Sequence, residues 1–501
     1  MIFTSVKKLT KLEKNFFIEQ VELYIKLVNA FCEKNNLIND VDENTVNFEE
    51  LKQIGVIEVN SEIEELKDIL KQKYKPFIQS VNFAVLYKDK LNGLLDKLYN
   101  SKRKELQEDF KNKNDLTLVD FFCGAGGLSL GFVEEGFNIK LANDIQDVCI
   151  ETYKYNHPEI PSSKIIKGDI KNIIDNLENY IDTDIDIVIG GPPCQGFSEA
   201  NRQRVIDDPR NKLYKYYIKA VEKIVPKFVL MENVKGMLKV ANQVVEDYEK
   251  LRIEKNGNIY TYNVKYKILN SQNFSVAQSR ERLIYIAVRN DVQKEKKITP
   301  QTILDNIEQR CKHNKIFNLS SALKDIKPLD APRVKNMNEV DSESCGKKVD
   351  INLFENNNNE YLKLINMGRK TPYIYNHKAR YINDINYDIY RLLNPGNDAT
   401  DEKIKDIMPY KNRLHCFKDK YFKLYPDRPC RTITAHMRMD CHSHIHPYQI
   451  RALTPREAAR VQSFPDDYVF LGAYLKTYME IGNAVPPMMA RGIAHIIKEF
   501  L

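Results

Sequence analysis

The stretch LTLVDFFCGAGGLSLGF, residues 116–132, decides the fold. Its apolar beginning, residues 116–119, predicts a β-strand, and the glycine-rich turn after Phe122 opens a helix. Glycines in such a turn let backbone N–H groups approach a ligand at the N-terminus of the helix. A strand, a glycine-rich loop and a helix in this order are typical of the cofactor loop of a Rossmann-like α/β sheet.

An acidic residue ends the next predicted strand. Asp144 follows residues 141–143, at the place where such folds hold the ribose hydroxyls of a nucleotide-type cofactor. Ser129 stands where a dinucleotide loop, Gly-x-Gly-x-x-Gly, has its third glycine. The loop therefore fits S-adenosylmethionine as well as NAD, and the missing glycine disfavours a dinucleotide.

A second motif, GGPPCQGFS at residues 190–198, presents one cysteine after an apolar run. The run 185–189 predicts a strand, and the glycines and prolines after it predict a stiff turn. Ligands bind at the carboxyl edge of such a sheet. Cys194 is therefore a candidate nucleophile, although a buried cysteine in a tight turn fits this motif equally well when it is taken alone.

A third motif, FVLMENV at residues 228–234, ends a further apolar strand on an acid, Glu232. Two consecutive strands would thus bring a thiol and a carboxyl group to the same edge. A thiolate can add to an electron-poor ring while the acid hydrogen-bonds the ring nitrogen that takes up charge. A helix cap or a surface acid is the alternative interpretation of Glu232.

These motifs resemble, in content and order, those of the DNA cytosine-5 methyltransferases. Residues 278–282 are similar to the family's Gln-x-Arg-x-Arg strand, residues 428–434 and 451–464 to its ninth block, and residues 481–486 to its last block. The resemblance implies an α/β, Rossmann-like, S-adenosylmethionine-dependent methyltransferase fold with an inserted target-recognition domain.

The resemblance implies a covalent mechanism. Cys194 would attack carbon 6 of cytosine while Glu232 protonates or hydrogen-bonds ring nitrogen 3. Carbon 5 would then take the methyl group, and loss of its proton would release the sulfur. Arg282 would hold the cytosine carbonyl oxygen, and Arg280 would help to fix the nucleophile loop. For both arginines, a place on the surface of a strand is the alternative.

For S-adenosylmethionine, the resemblance implies that the adenine ring lies between Phe122 and Ile145 and that Asp144 holds the ribose. Ile145 stands where many relatives have tryptophan, and the chain has no Trp, so weaker, aliphatic stacking is expected. Asp169 would accept from the adenine amino group, with an ordinary loop aspartate as the alternative. The other residues expected at the cofactor are Gly124, Gly126, Gly127, Ile170, Pro192, Asn483 and Val485.

The resemblance also implies binding of double-stranded DNA with the target base flipped out, since ring carbons cannot be reached within a stack. Residues 196–212 are expected to close over that base, because they begin with glycine and carry polar and cationic groups. A static surface loop is the alternative. The residues expected to contact DNA are Gln195, Ser198, Arg202 and Gln278.

Two regions lie outside the matching blocks. Residues 1–115 are predicted to form a helical N-terminal extension that caps the catalytic domain or, alternatively, contacts DNA or dimerises. The prediction rests on the one-face spacing of Leu91, Leu94, Leu95 and Leu98. Residues 291–425 resemble, by position, the target-recognition domain. They would interrupt a catalytic domain formed by residues 116–290 and completed by residues 426–501.

Composition is consistent with this interpretation. The 501 residues allow two to four domains. The nine cysteines form no Cys-x-x-Cys pair, and we find no secretory leader or long apolar run. We therefore expect a reduced, cytoplasmic protein with no membrane partner. The net charge of +7 favours a polyanionic partner only mildly.

Two smaller motifs need interpretation. Residues 441–446, CHSHIH, would place three imidazoles on one face of a strand. These histidines could form a metal site. The resemblance implies instead a His-Pro segment that binds no metal, and we expect no metal. Thr454, Pro455 and Glu457 predict a capping box at the start of a helix.

The sequence therefore indicates a DNA cytosine-5 methyltransferase that acts beside a cognate restriction endonuclease or as an orphan enzyme. A tRNA cytosine-5 methyltransferase is disfavoured by the long region 291–425. A catalytically idle DNA-binding homologue is disfavoured by the intact Cys194, Glu232 and Arg282. A nicotinamide oxidoreductase is disfavoured by the missing third glycine. The sequence gives neither the recognition site nor the oligomeric state.

Overall fold

The computed structural model describes residues 3, 5–7, 9–91, 93–113, 116–193, 213–335, 340–355, 358–409 and 420–501, with only the backbone at 110–113. The strands are β1 Thr117–Phe121, β2 Asn138–Asp144, β3 Ile165–Lys167, β4 Ile187–Gly190, β5 Phe228–Val234, β6 Ile253–Lys255, β7 Asn258–Tyr260, β8 Tyr262–Asn270, β9 Glu281–Arg289, β10 Gly346–Ile351 and β11 Tyr373–Lys378.

The helices lie between and around these strands. They are α1 Lys11–Lys34, α2 Phe48–Gln53, α3 Ile63–Leu70, α4 Tyr74–Leu86, α5 Asn100–Lys113, α6 Gly127–Glu134, α7 Asp147–Asn156, α8 Ile170–Asp175, α9 Leu213–Ile224, α10 Ala241–Glu249, α11 Asn290–Lys296, α12 Pro300–Cys311, α13 Leu319–Leu323, α14 Glu360–Ile365, α15 Asp384–Leu392, α16 Pro455–Val461, α17 Tyr474–Asn483 and α18 Pro487–Lys498.

The main sheet has seven strands in the order β3-β2-β1-β4-β5-β9-β8. The first five are parallel, and β9 and β8 add antiparallel strands at one side. The strand order reverses between β1 and β4, which is the switch point where ligands bind in open α/β sheets. The predicted Rossmann-like sheet is therefore confirmed.

Alternating side chains cover the two faces of the sheet. On one face, Leu118 and Ile189 pack in a core shared with α6, α12 and α18. On the other, Val119 and Val188 pack with α8, α9 and α10. Because α12 lies on the sheet, residues 300–311 share the catalytic core although the predicted boundary falls at 290.

The N-terminal extension is helical, as predicted, and α1 to α5 surround a core of their own that also touches β10 and β11. The leucine spacing used for this prediction does not mark an α-helix at residues 91–98. Leu91, Leu95 and Leu98 are buried, but they lie in turns and a short 3-10 helix between α4 and α5. Gly93 has a left-handed φ of +85°, which interrupts helical geometry there.

The end of the chain closes against its first catalytic strand and helix. A Cβ on Gly131, in α6, would lie 2.4 Å from the backbone nitrogen of Arg491, in α18. A Cβ on Gly127 would lie 2.3 Å from the carbonyl oxygen of Val485. The C-terminal segment therefore completes the catalytic layer through direct backbone packing.

The two smaller motifs have different outcomes. Residues 441–446 do not form a strand, and burial lowers the pKa of His442 to about 4 and of His444 to about 3. His442 meets the Tyr390 hydroxyl, whereas His444 meets the Thr432 carbonyl. The capping box at Thr454 is confirmed at the start of α16.

Within the described ranges, no helix is both long enough and apolar enough to cross a membrane. The same ranges contain no group of three or more histidine, cysteine or acidic side chains arranged to hold a metal ion.

Candidate active site

Adjacent β4 and β5 bring the two central motifs together, as predicted. Gly191, the residue after β4, lies beside Glu232. A Cβ atom built on Gly191 would lie 3.0 Å from the Glu232 Oε2 atom. The side-chain amide of Asn233 donates to the carbonyl oxygen of Pro192 at 2.8 Å. The acid of β5 therefore lies beside the turn that leads to Cys194, and its neighbour holds that turn.

Glu232 pairs with Arg282 across the antiparallel β5 and β9. The Arg282 Nε atom lies 2.7 Å from Glu232 Oε1, and both side chains are about nine-tenths buried. Burial lowers the pKa of Arg282, whereas the nearby carboxylate of Glu232 opposes that shift. A paired acid and guanidinium at this edge can donate and accept hydrogen bonds to a polar, planar ligand.

Arg280 lies deeper and faces the C-terminal segment. Its guanidinium donates to the carbonyl oxygens of Ile433 at 2.8 Å and of Gly482 and Ala484 at 3.0 Å. The side chain is 1% exposed. Arg280 therefore ties the C-terminal segment to the sheet, and its predicted contact with the nucleophile loop concerns residues outside the described part of the chain.

Replacing Arg280 with Met is expected to destabilise the fold by about 2–5 kcal/mol, because it leaves three carbonyl oxygens, two of them buried, without this donor. Thermal unfolding of the two proteins without ligand measures the loss. Replacing Arg310, an exposed arginine paired with Glu499, with Met is the matched control and should change little. Equal stability of the Arg280 variant and the wild type would show that Arg280 does not stabilise the contact between the C-terminal segment and the sheet.

Gln278 lies inside the protein, and its predicted contact with DNA stays a prediction. Its side chain is fully buried. The amide nitrogen donates to Gln462 at 2.9 Å, and the amide oxygen accepts from the backbone of Ile433 at 2.7 Å. The amide thus forms hydrogen bonds inside the protein, where it joins the segment between β8 and β9 to the C-terminal segment.

Four of the predicted site residues lie outside the described residues. They are the nucleophile candidate and three residues expected to contact DNA: Cys194, Gln195, Ser198 and Arg202. The predicted closing loop, residues 196–212, also lies outside. Their roles stay predictions.

The cofactor loop follows β1 in a strained conformation. Phe122 has a φ of +58°, which is uncommon for an aromatic residue. Strain of this kind persists where the surroundings fix it, and it occurs often at ligand sites. Gly124 has a φ of +54°, and no other atom lies within 4 Å of where its Cβ would be. The loop therefore has an open side at Gly124.

Gly126 and Gly127 make room for other parts of the protein beneath the loop. A Cβ on Gly126 would lie 2.8 Å from the Tyr468 hydroxyl, and one on Gly127 would meet Val485. Both glycines thus allow the protein itself to pack beneath the loop. Their predicted place at the cofactor stays a prediction.

The predicted adenine and ribose residues lie on the same side of the sheet edge. Asp144 accepts backbone hydrogen bonds from Gly124 at 3.0 Å and Gln146 at 2.8 Å. Burial raises the pKa of Asp144, and these N–H donors oppose the shift. The side chain of Ile145 is 60% exposed, although it is large and apolar. An exposed aliphatic group beside a carboxylate suits one face of a nucleoside.

The remaining predicted cofactor residues occupy two further positions. Asp169 is exposed and caps α8 by accepting from the backbone of Lys171 at 2.9 Å, while Ile170 is buried. Asn483 is exposed at the end of α17, and Val485 is 6% exposed beside Gly127. Their roles at the cofactor stay predictions.

Two sets of site residues were missed from the sequence. Asn233 lies in the third motif, which does not indicate that its amide binds the carbonyl oxygen of Pro192. Ser129 stands where a dinucleotide loop has glycine, but its hydroxyl donates to the buried Asp120 and accepts from Tyr153 at 2.7 Å. The spacing of nine residues between Asp120 and Ser129, one on the strand and one on the helix, was the available signal.

These observations first define a class: a Rossmann-like enzyme with a nucleotide-type loop on β1 and a buried acid–arginine pair at the same edge. A model of the C-5 cytosine-specific DNA methylase family matches residues 116–499. The chain therefore belongs to this family, and it is a DNA cytosine-5-methyltransferase.

Individual relatives agree. The chain is 31% identical over 391 residues to the type II methyltransferase M1.HphI of Haemophilus parahaemolyticus, covering 76% of this chain and 86% of that protein. It is 33% identical over 398 residues to M.FnuDI of Fusobacterium nucleatum, covering 77% and 95%. A crystal structure of a prophage-encoded DNA modification methyltransferase of E. coli has a TM-score of 0.57 and 25% identity, covering 77% of this chain and 99% of that one.

Proposed function

We propose that this chain transfers a methyl group from S-adenosylmethionine to carbon 5 of a cytosine in a specific double-stranded DNA sequence, through a covalent adduct with Cys194. The observation that carries the proposal is the Glu232–Arg282 pair, which lies against Gly191 three residues before the cysteine. A nucleophile, an acid and a fixed cation are the groups that addition to a cytosine ring requires.

Each group has a distinct part in the addition. The Cys194 thiolate forms a bond to carbon 6, and Glu232 donates a proton or hydrogen bond at ring nitrogen 3, where the charge collects. Arg282 faces the carbonyl oxygen on carbon 2. A guanidinium has five N–H donors, and its described contacts use the nitrogens Nε and Nη1. After methylation, loss of the carbon 5 proton lets the carbon–sulfur bond break.

The target base must leave the duplex for this chemistry. Carbon 6 is stacked between neighbouring bases in duplex DNA, and Glu232 is about nine-tenths buried within the protein. We therefore propose that the cytosine is flipped into the pocket beside Glu232 and that residues 196–212 close over it.

The residues present fit S-adenosylmethionine. Gly124 leaves the loop open, Phe122 and the exposed Ile145 can contact the two faces of adenine, and Asp144 suits the ribose hydroxyls. Asp169 would hold the adenine amino group, whereas Pro192, Asn483 and Val485 would close the methionine end. When bound, the cofactor supplies the methyl group as an electrophile.

We also propose that the enzyme serves in a type II restriction-modification system. The supporting observation is that relatives matched over three quarters of this chain are named type II methyltransferases. A restriction endonuclease specific for the same DNA sequence would then be its functional partner.

Bisulfite sequencing of genomic DNA from cells that express the chain tests the proposed function. We expect cytosines that resist bisulfite conversion at one short sequence motif. Cells that carry the empty vector should not show this resistance at the same motif. Protection spread without sequence preference would contradict the proposed specificity. Full conversion of every cytosine, with folded protein present, would contradict the reaction itself.

A further inference from the structure

Two tyrosines, Tyr468 and Tyr153, pack against the cofactor loop at Gly126, whereas the space around Gly124 is open. Tyr468, from the C-terminal segment, is 3% exposed, and its hydroxyl donates to the carbonyl oxygen of Ala125. Burial raises the pKa of Tyr468 well above its ordinary value, so the hydroxyl keeps the proton that it donates. Residues more than 340 positions apart in sequence therefore meet at one peptide of the loop.

The backbone around that peptide is shaped to this contact. Gly126 has a φ of +88°, and its Cβ would lie within about 3 Å of Tyr468, Tyr153 and His157. His157 is 1% exposed, and its ring centroid lies 4.5 Å from that of Tyr153, with the two ring planes tilted by 35°. The loop therefore rests on a packed aromatic floor and has no room for a side chain at Gly126.

A second hydroxyl holds the other end of the loop. Tyr153 donates to Ser129, and Ser129 donates to the carboxylate of Asp120 on β1. Tyr153 and Asp120 are fully buried. The strand before the loop and the helix after it are thus joined beneath the loop by one line of hydrogen bonds.

We propose that Tyr468, assisted by Tyr153, is a positioning residue for the cofactor: it holds the Ala125 carbonyl away from the binding side so that the loop presents N–H groups there. This inference rests on the proposed function. The first N–H groups of α6 have no partner within the helix and form a positive end suited to the carboxylate of the methionine moiety. A carbonyl turned to the same side would repel that carboxylate.

The test removes only the hydroxyl. Tyr468→Phe keeps the ring and its packing but leaves the Ala125 carbonyl free to turn. Tyr262→Phe is the matched control, because Tyr262 is also buried and donates to one backbone carbonyl, that of Pro226, at 2.6 Å on the far strand β8. Calorimetry measures binding of S-adenosylmethionine to each full-length protein without DNA, and thermal unfolding without ligand measures stability.

Both variants are expected to unfold a few degrees below the wild type. Only Tyr468→Phe is expected to bind S-adenosylmethionine about tenfold more weakly, and its KM for that ligand should rise about tenfold while kcat at saturation stays within about twofold. Tyr153→Phe should show the same pattern with a smaller loss, and it replaces Tyr468→Phe if that variant does not fold.

Binding within twofold of the wild type in the folded tyrosine variant would overturn the inference, and so would an equal loss in Tyr262→Phe. A wild-type protein that does not bind S-adenosylmethionine at all would instead overturn the proposed function, so the two failures are distinguishable.

Discussion

Replacing Cys194 with Ser is expected to abolish methyl transfer while DNA binding remains. A serine hydroxyl is a far weaker nucleophile at neutral pH than a thiol, of which a few per cent is thiolate even at its ordinary pKa. The measurement is transfer of tritiated methyl groups to DNA. Oligonucleotides with 5-fluorocytosine at the target give a second measurement, because fluorine cannot leave as a cation and the wild-type protein should remain attached.

Cys345→Ser is the matched control for this change. Cys345 is partly exposed at the turn before β10, and it has no place in the proposed chemistry. It should keep both methyl transfer and the trapped adduct, whereas the Cys194 variant should show neither. Transfer by Cys194→Ser at a rate near that of the wild type would show that Cys194 is not the nucleophile.

Replacing Glu232 with Gln is expected to lower kcat by roughly 10²–10⁴-fold, the usual contribution of a positioned general acid. The amide keeps an oxygen that can accept from Arg282, so the buried guanidinium is not left without an acceptor. It cannot supply a proton to ring nitrogen 3. Single-turnover methyl transfer with bound DNA measures the loss at the chemical step.

The neighbouring acid Glu281 provides the comparison. It lies on β9 beside Arg282 but is about half exposed and pairs with Lys235 at 2.8 Å. Glu281→Gln should therefore leave the single-turnover rate within about twofold, since exposed ion pairs contribute little. Similar losses in the two variants would indicate a general effect of charge at this edge and would rule out a specific role for Glu232.

The sequence could predict the parts of the site that depend on local pattern. Phe122, Asp144 and Glu232 each follow or end an apolar run, and parallel strands bring such ends to one edge. That rule, together with the family resemblance, predicts that these three residues lie close together. The Glu232–Arg282 pair required the additional fact that β9 runs antiparallel beside β5.

Other roles depended on contacts that are distant in sequence. Gln278 has a side chain of the type that contacts DNA, but in the fold its amide forms hydrogen bonds with Ile433 and Gln462. The leucines after α4 have helical spacing, but a left-handed glycine among them breaks the helix while they remain buried. Periodicity reports burial directly and reports secondary structure only where the backbone permits it.

The packing of α18 on α6 has a consequence for the order of events during synthesis. More than 360 residues separate β1 from Pro487. At roughly 5–20 residues per second, a ribosome needs about 20–70 s to make them. During that interval the nascent polypeptide already carries the glycine loop, but it lacks the C-terminal residues that pack against Gly127 and Gly131. Each new copy is therefore expected to be inactive until α18 has been made, and truncation before Pro487 is expected to yield an inactive product.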